Sequence, residues 1–191
     1  MENLDDVFNM GMSMPSAIGR MQGHIEIDPH NALFRVFSYD LSYRTYRISD
    51  FIDYDVIFET QETGGSDGSI VRGAIGGYFF GWIGAALGYL SGKTEPQAVC
   101  TSFGISMLIN GGIRENLYAA TPAMPIHDDS AFQDALREIT ELATVCANFK
   151  FFNSGEEATP EVLARYQSET QWKFDNAVGA GIVNISATMN K

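Results

Sequence analysis

A stretch of twenty residues with seven glycines and no charged side chain constrains this chain more than any other feature. It runs from residue 73 to residue 92 and reads GAIGGYFFGWIGAALGYLSG. Glycine lowers the stability of a helix by about 1 kcal/mol relative to alanine, so seven glycines cost about 6 to 7 kcal/mol. A helix of this composition therefore needs a compensating contact. GxxxG steps provide one because they let a second helix approach closely.

The glycines of this segment share one face of a helix. At 100° per residue, all of them except Gly76 fall within about 100° of arc, and the opposite face is bulky and aromatic. We predict that the segment forms the contact between copies of this protein. The predicted contact residues are Gly73, Gly77, Gly81, Gly84, Gly88, Gly92, Tyr78, Phe79 and Trp82.

The path of this segment is open from the sequence. A continuous helix of twenty residues is about 30 Å long and would span a bilayer, but it would separate the strands before and after it. A helical hairpin that bends near residues 81–84 returns the chain to its starting side. Contact between protein chains, insertion into a membrane and burial within one chain all remain open. The expected location is accordingly cytoplasmic or membrane-associated.

The charge balance bears on the class of partner. The chain has 191 residues, enough for one domain with an appendage. It carries 24 acidic residues against 12 lysines and arginines, a net charge of −12. This charge repels a phosphate backbone, and no cluster of basic side chains offsets it locally. We therefore expect no nucleic-acid partner.

One motif approaches a nucleotide-binding loop. The sequence GYLSGKT (88–94) lacks the glycine that GxxxxGK[ST] requires six positions before Lys93, where Leu87 stands instead. An acid and a proline follow it, rather than a helix whose free N–H groups would hold phosphates. The glycine-rich GGSDGS (64–69) contains an acid and is typical of a turn. We expect no bound nucleotide and no cofactor.

Two groups of residues around histidines could supply metal ligands or a catalytic base. His24, Glu26 and Asp28 alternate with isoleucines and are followed by His30. Such a pattern suits a divalent metal, but any half-exposed strand also shows it. His127 stands beside two aspartates at a predicted helix start, with no activated serine or cysteine to pair with it. We interpret these groups as a solvated strand face and a helix cap, and expect neither a metal site nor enzymatic activity.

Cysteine usage and the N-terminus indicate a reducing compartment. Cys100 and Cys146 are the only cysteines and stand in different predicted elements, so we expect two buried free thiols, with a disulfide as the alternative. Residues 1–21 begin with acids and have no continuous apolar core, so no export signal is predicted. They hold five of the eight methionines, which suggests an adaptable docking segment or a helix packed on its own domain.

Apolar periodicity predicts an α+β fold. From Met21 to residue 120 the period is two, which indicates six short strands in a curled antiparallel sheet or small barrel. The predicted strands are 24–28, 33–39, 45–49, 53–60, 98–110 and 116–120. On the fifth strand, one face should carry Val99, Thr101, Phe103, Ile105, Met107 and Ile109.

The period changes to 3.6 near Asp128 and predicts two helices. The first, over residues 128–149, has an apolar stripe that can cover the sheet. The second begins at Pro160, with Thr159 as its N-cap. Residues 179–191 are either a strand or a frayed tail. The stripe of the first helix consists of Phe132, Leu136, Ile139, Leu142, Val145 and Cys146.

The run from Ile48 to Thr94, with the β segment after it and the helix FQDALREITEL, carries a family resemblance over roughly residues 45–150. It resembles uncharacterised bacterial and phage proteins with a small PH-like sheet domain, a glycine-rich insertion of the form GRAVVGG…GGVGA…GG between strands and sometimes a SHOCT-type module. The chain departs from that pattern in its acidic KTEPQ and in its C-terminal residues. The resemblance implies interaction or assembly and no enzyme.

The expected organisation has three parts. Residues 1–21 form an N-terminal docking segment, residues 22–150 a PH-like sheet domain with the glycine-rich insertion at 70–92, and residues 151–191 a helical extension. We expect a non-enzymatic structural or interaction protein that associates with itself through the glycine-rich segment. The alternative is a membrane-associated protein that inserts this segment into a bilayer as a hairpin, and a small-ligand binding module is a third possibility.

Overall fold

The structure, a computed structural model, describes residues 3–8, 12–14, 24–37, 42–63, 97–119, 124–125 and 130–188. The glycine-rich segment, the motifs at 64–69 and 88–94, and His127 lie outside these residues.

Eight strands and three helices make up the described part of the chain. A short helix α1 (Leu4–Val7) precedes the strands β1 (Met12–Met14), β2 (His24–Asp28), β3 (Leu33–Phe37) and β4 (Tyr43–Arg47). A 3-10 turn at Ile48–Asp50 leads into β5 (Phe51–Thr63), β6 (Gln97–Ile109), β7 (Ile113–Ala119) and β8 (Met124–Pro125). Two long helices follow, α2 (Ser130–Ser154) and α3 (Pro160–Thr188).

The strands form two antiparallel sheets rather than one curled sheet. Strands β1 to β4 pair in chain order in the first sheet, and β5, β6 and β7 pair in order in the second, where β8 also pairs with β6. The predicted α+β class is confirmed, and the described strands form no closed barrel. The sheets separate at the 3-10 turn, where the Asp50 carboxylate accepts a hydrogen bond from the main-chain N of Arg47 at 3.3 Å. Asn110 of the second sheet then donates to the Asp50 carbonyl at 2.7 Å.

A cluster of three phenylalanines joins both sheets to α2. The ring centroids of Phe34 in β3 and Phe51 in β5 lie 6.5 Å apart, and that of Phe149 in α2 lies 5.0 Å and 5.6 Å from them. Such aromatic pairs contribute about 0.5 to 1.5 kcal/mol each beyond the area they bury. The predicted apolar stripe of this helix is confirmed for the buried Ile139, Leu142 and Cys146 and the partly buried Leu136 and Val145.

One strand face differs from the prediction. The pairing of β6 with β5 skips Thr101, because Glu59 pairs with Ser102 and Thr60 pairs with Cys100. An extra residue in one strand reverses which side chains face the core. Cys100 is therefore buried, whereas Thr101, which simple alternation places in the core, is only partly buried.

The C-terminal helix is longer than expected. Thr159 caps it as predicted, since its Oγ1 accepts from the main-chain N of Val162 at 3.3 Å. Pro160 occupies the first position, where its missing N–H is not needed. The prediction of a strand or a frayed tail over residues 179–191 is wrong as far as Thr188, where α3 ends. The glycines there weaken the helix by about 1 kcal/mol each, but no proline interrupts it and helix formation propagates cooperatively.

Candidate functional site

The longest hairpin of the described structure carries the glycine-rich segment between its strands. β5 and β6 pair antiparallel as far as Thr63 and Gln97, so the two described residues that flank the sequence 64–96 are pairing partners in one sheet. β7 ends opposite Phe103. The hairpin therefore extends beyond β7 by residues 97–102 of β6, about 20 Å at 3.3 Å per residue.

The predicted contact residues lie within this insertion and outside the described residues. They are Gly73, Gly77, Gly81, Gly84, Gly88, Gly92, Tyr78, Phe79 and Trp82. The structure brings together the two strands that flank them. The sequence does not determine whether those strands belong to one sheet. The structure shows that they do.

A network of charged side chains ties two helices to the edge of this hairpin. β5 is the edge strand of the second sheet, and Lys173 of α3 donates from Nζ to the main-chain carbonyl of Tyr54 at 2.5 Å. The same Nζ lies 3.1 Å from Asp53 Oδ1 and 3.8 Å from Glu169 Oε1. Lys150 of α2 also binds both carboxylates, that of Asp53 at 3.2 Å. These ion pairs fix α2 and α3 against one strand.

The pKa values of Asp53 and Lys150 are both shifted toward the charged form. Burial acts to raise the pKa of Asp53, but hydrogen bonds from the main chain of Tyr54 and from Lys173 outweigh it, so the pKa lies below its ordinary value of 3.8. Burial acts to lower the pKa of Lys150, but hydrogen bonds to Glu169 and Asp53 outweigh it and the pKa is raised. Both groups are therefore charged at neutral pH. Each is engaged by partners of opposite charge, which suits a structural role better than proton transfer.

Two tyrosines make further contacts between elements. The Tyr54 hydroxyl shares a hydrogen bond of 2.7 Å with Thr170 Oγ1 of α3, and burial raises its pKa. Tyr46 of β4 donates its hydroxyl to Glu115 of β7, which also accepts from Arg44 Nη1 at 3.0 Å. Burial, with this hydrogen bond, raises the pKa of Tyr46 to about 12. The Tyr46–Glu115 contact joins the first sheet to the second.

Both cysteines are buried free thiols, which confirms the prediction and excludes the disulfide. Burial raises the pKa of Cys100 to about 12 and also raises that of Cys146. Because only the thiolate is a good nucleophile or metal ligand, we expect neither thiol to react at neutral pH. Within the described ranges, no group of three or more His, Cys, Asp or Glu side chains could hold a metal ion.

The strand face predicted to be solvated is more enclosed than expected. Asp28 is 1% exposed, and its burial is compensated because its carboxylate accepts from the main-chain N atoms of His30 and Asn31, each at 3.1 Å. The ring of His24 stacks on that of Phe37, with centroids 4.2 Å apart. The prediction of a solvated face is therefore wrong for Asp28. Its carboxylate organises a turn instead.

An open depression of 350 Å³ lies where the β6–β7 turn meets the first sheet. Its one carboxylate, that of Asp50, is engaged by the main-chain N of Arg47. The depression therefore offers no obvious chemical group to a ligand. Its lining residues are Tyr46, Asp50, Ile109, Asn110, Gly111 and Ile113.

Sequence reasoning missed the charged network on β5. A local signal exists, because Glu169 and Lys173 are four residues apart on one helix face and Asp53 and Asp55 alternate on one strand. No local sequence pattern indicates that this helix face packs against this strand.

Of the helices that the structure describes, none is long and apolar enough to span a bilayer. Comparison of the chain with protein-family models, curated proteins and solved structures gives no match.

Proposed function

We propose that this chain is a non-enzymatic, self-associating interaction protein whose two-sheet domain presents the glycine-rich segment from its longest hairpin. The observation that carries this proposal is the pairing of β5 with β6 as far as Thr63 and Gln97. This pairing makes residues 64–96 an insertion whose two ends are neighbours. The segment can therefore leave the domain as one unit and meet a second copy without disturbing the sheet.

The same pairing favours a returning path over a single crossing of a membrane. A chain that crosses a bilayer once, about 30 Å of hydrocarbon, ends on the opposite side from where it began. Thr63 and Gln97 are instead paired in one sheet. This supports a returning path, for which we propose a bend near residues 81–84, and the membrane alternative requires the hairpin form as well.

The covered edge of β5 supports the choice of the glycine-rich segment as the contact. An open strand edge is a ready site for pairing with another chain. Along β5, however, α3 packs against the strand, and Lys173 donates a hydrogen bond to the main-chain carbonyl of Tyr54. Strand addition is blocked there. By contrast, a helix face of glycines allows the close approach of a second helix.

The order of the elements supports the resemblance to PH-like proteins. A four-stranded sheet, a second sheet and the covering helix α2 follow one another along the chain. The insertion lies between two strands of the second sheet, as the resemblance implies. We propose on this basis a PH-like domain over residues 22–150 with α3 as its helical extension.

Substitution of two glycines on the proposed contact face tests this function. Gly77→Leu with Gly81→Leu raises helix propensity but blocks close approach of a second helix. Light scattering after gel filtration should show a wild-type mass above the 21.0 kDa of one chain and a mass near one chain for the double variant. Gly76→Leu is the matched control, since it adds the same side chain at the one glycine of the segment that lies outside this face and outside the predicted contact residues, and it should leave the mass unchanged.

Two results would count against the proposal. A monomeric wild type would contradict self-association itself. A double variant that keeps the wild-type mass would contradict the contact face. If instead the wild-type protein sediments with membranes and resists carbonate extraction, the membrane-inserted hairpin replaces the proposed contact between chains.

A further inference from the structure

Residues 3–8 contact the outer face of the first sheet through Arg35 and Thr45, opposite to the buried Ile25 and Phe34. We call residues 3–8 the N-terminal arm. Its helix α1 has four residues, none of them buried. A helix of that length is not stable by itself. Contacts with the sheet therefore hold the arm in place.

The sheet binds the carboxylate of the arm through one arginine and one threonine. Asp5 Oδ1 accepts hydrogen bonds from Arg35 Nη2 at 3.5 Å and from the Thr45 hydroxyl. Arg35 Nε also donates to Thr45 Oγ1 at 3.1 Å, and its Nη1 lies 3.8 Å from Glu26. β2 and β4 thus orient Arg35 independently of the arm.

The same arginine binds the aromatic ring of the arm. Its Cζ lies 4.0 Å from the centroid of the Phe8 ring and 4.3 Å from that of the Tyr43 ring. The arm supplies the first ring and β4 supplies the second. The Arg35 side chain is only 15% exposed, so its cation–ring contacts are partly shielded from water and stronger than surface ones.

A third contact binds the main chain of the arm. Asn31 Nδ2 donates to the carbonyl of Val7 at 3.1 Å and lies 2.7 Å from Asp28 Oδ2. The buried Asp28 carboxylate also accepts from the main-chain N of His30 and Asn31. The buried Asp28 carboxylate therefore orients the Asn31 amide group that donates to the Val7 carbonyl.

We propose that this outer face is a peptide-recognition site and that a segment of a partner protein, with a carboxylate three residues before an aromatic ring, replaces the arm there. The site binds three groups of the arm within the four residues from Asp5 to Phe8. They are the Asp5 carboxylate, the Val7 carbonyl and the Phe8 ring. Its donors are oriented by the sheet, so the site persists when the arm leaves. Because no arm residue is buried, release of the arm opens no cavity in the core. This inference is independent of the glycine-rich segment.

A labelled peptide that copies residues 1–11, MENLDDVFNMG, tests the site with the full chain. In the wild type the tethered arm competes at a high effective concentration, so the peptide should bind weakly. Asp5→Asn with Phe8→Ala in the chain weakens the arm. Fluorescence anisotropy should then show binding tighter by about tenfold or more. A peptide with the same two substitutions should not bind either protein.

Two further variants in the arm-weakened chain locate the binding. Arg35→Gln should abolish peptide binding. Arg35→Lys keeps the charge but loses the planar group that contacts both rings, and it should weaken binding about fivefold or more.

The proposal is overturned if the wild type and the arm-weakened chain bind the peptide equally, or if both Arg35 variants retain full affinity. It is also overturned if the mass of the wild type without peptide depends on Phe8, because the occupant is then a second copy.

Discussion

Lys173 and Tyr54 are joined through both the main chain and the side chain. Lys173 Nζ donates to the Tyr54 carbonyl at 2.5 Å and lies 4.8 Å from the centroid of its ring. The lysine side chain is 6% exposed, and a buried ammonium group is costly unless it is fully compensated. Asp53 and Glu169 provide that compensation. A shift of α3 along β5 would separate Lys173 from the Tyr54 carbonyl and from Asp53, so we expect the network to favour the observed docking of the helix.

Removal of the buried lysine should destabilise the fold strongly. Lys173→Met keeps most of the side-chain volume but removes the hydrogen bond to the Tyr54 carbonyl. It also removes one of the two ion pairs of Asp53. We expect the free energy of unfolding in urea to fall by about 2 to 4 kcal/mol. Arg137→Met is the control, because its ion pair with Asp134 is mostly exposed, and it should cost about 0.5 kcal/mol or less. Equal losses would contradict a buried network.

The lowered pKa of Asp53 predicts loss of stability in acid. Because the folded pKa is below the ordinary value of 3.8, the unfolded state binds this proton more readily than the native state. The stabilisation is therefore complete above 3.8 and is lost as the pH falls through the folded pKa. Asp53→Asn should flatten the pH dependence of unfolding in that range. A variant with the wild-type acid slope would show that other carboxylates dominate.

Local sequence predicts many of the individual strands and helices, but it does not predict how these elements pack against one another. The predicted strands at 24–28 and 33–39 and the start of α3 at Pro160 are confirmed, because alternation and capping are local signals. The division into two sheets depends on the turn at Ile48–Asp50, which reads from sequence as a brief interruption between strands. The displacement of Thr101 is set by cross-strand register. The docking of Lys173 depends on tertiary contacts that no local pattern encodes.

The two thiols should be unreactive in the native protein. Burial raises the pKa of Cys100 to about 12 and raises that of Cys146 as well. Thiolate is the reactive species, so a disulfide reagent near neutral pH should react on the order of a thousandfold more slowly with the native chain than with the denatured chain. Both thiols should become available together in denaturant. Fast reaction of one thiol in the native state would contradict its burial.

The hydrogen bond between Tyr46 and Glu115 should couple the two sheets energetically. Glu115 is 9% exposed, so loss of one partner leaves a poorly hydrated group behind. A double-mutant cycle of Tyr46→Phe and Glu115→Ala, each of which removes the hydrogen bond, should give a coupling energy of about 1 to 2 kcal/mol. The exposed pair of Tyr166 and Glu156, whose hydroxyl and carboxylate oxygens are 3.2 Å apart, is the matched control. Its cycle should give a clearly smaller coupling energy, because solvent screens this exposed pair.

A single methyl group on Gly104 should disrupt the strand that carries the glycine-rich insertion. Gly104 pairs with Ile57 on one side and Tyr118 on the other. A Cβ added there would lie 2.4 Å from the Leu117 carbonyl oxygen, so main chain would have to move. We expect Gly104→Ala to lower the free energy of unfolding by about 2 to 4 kcal/mol.

Gly111 provides the comparison for this substitution, because it lies in the turn after β6 with a positive φ of 84° and no atom within 4 Å of an added Cβ. Gly111→Ala meets no neighbour and should cost only the backbone strain, about 1 to 2 kcal/mol. Urea unfolding of the two variants therefore separates a steric clash from a conformational cost. If Gly104→Ala proves the milder change, β6 and β7 are not as close at Leu117 as the structure places them.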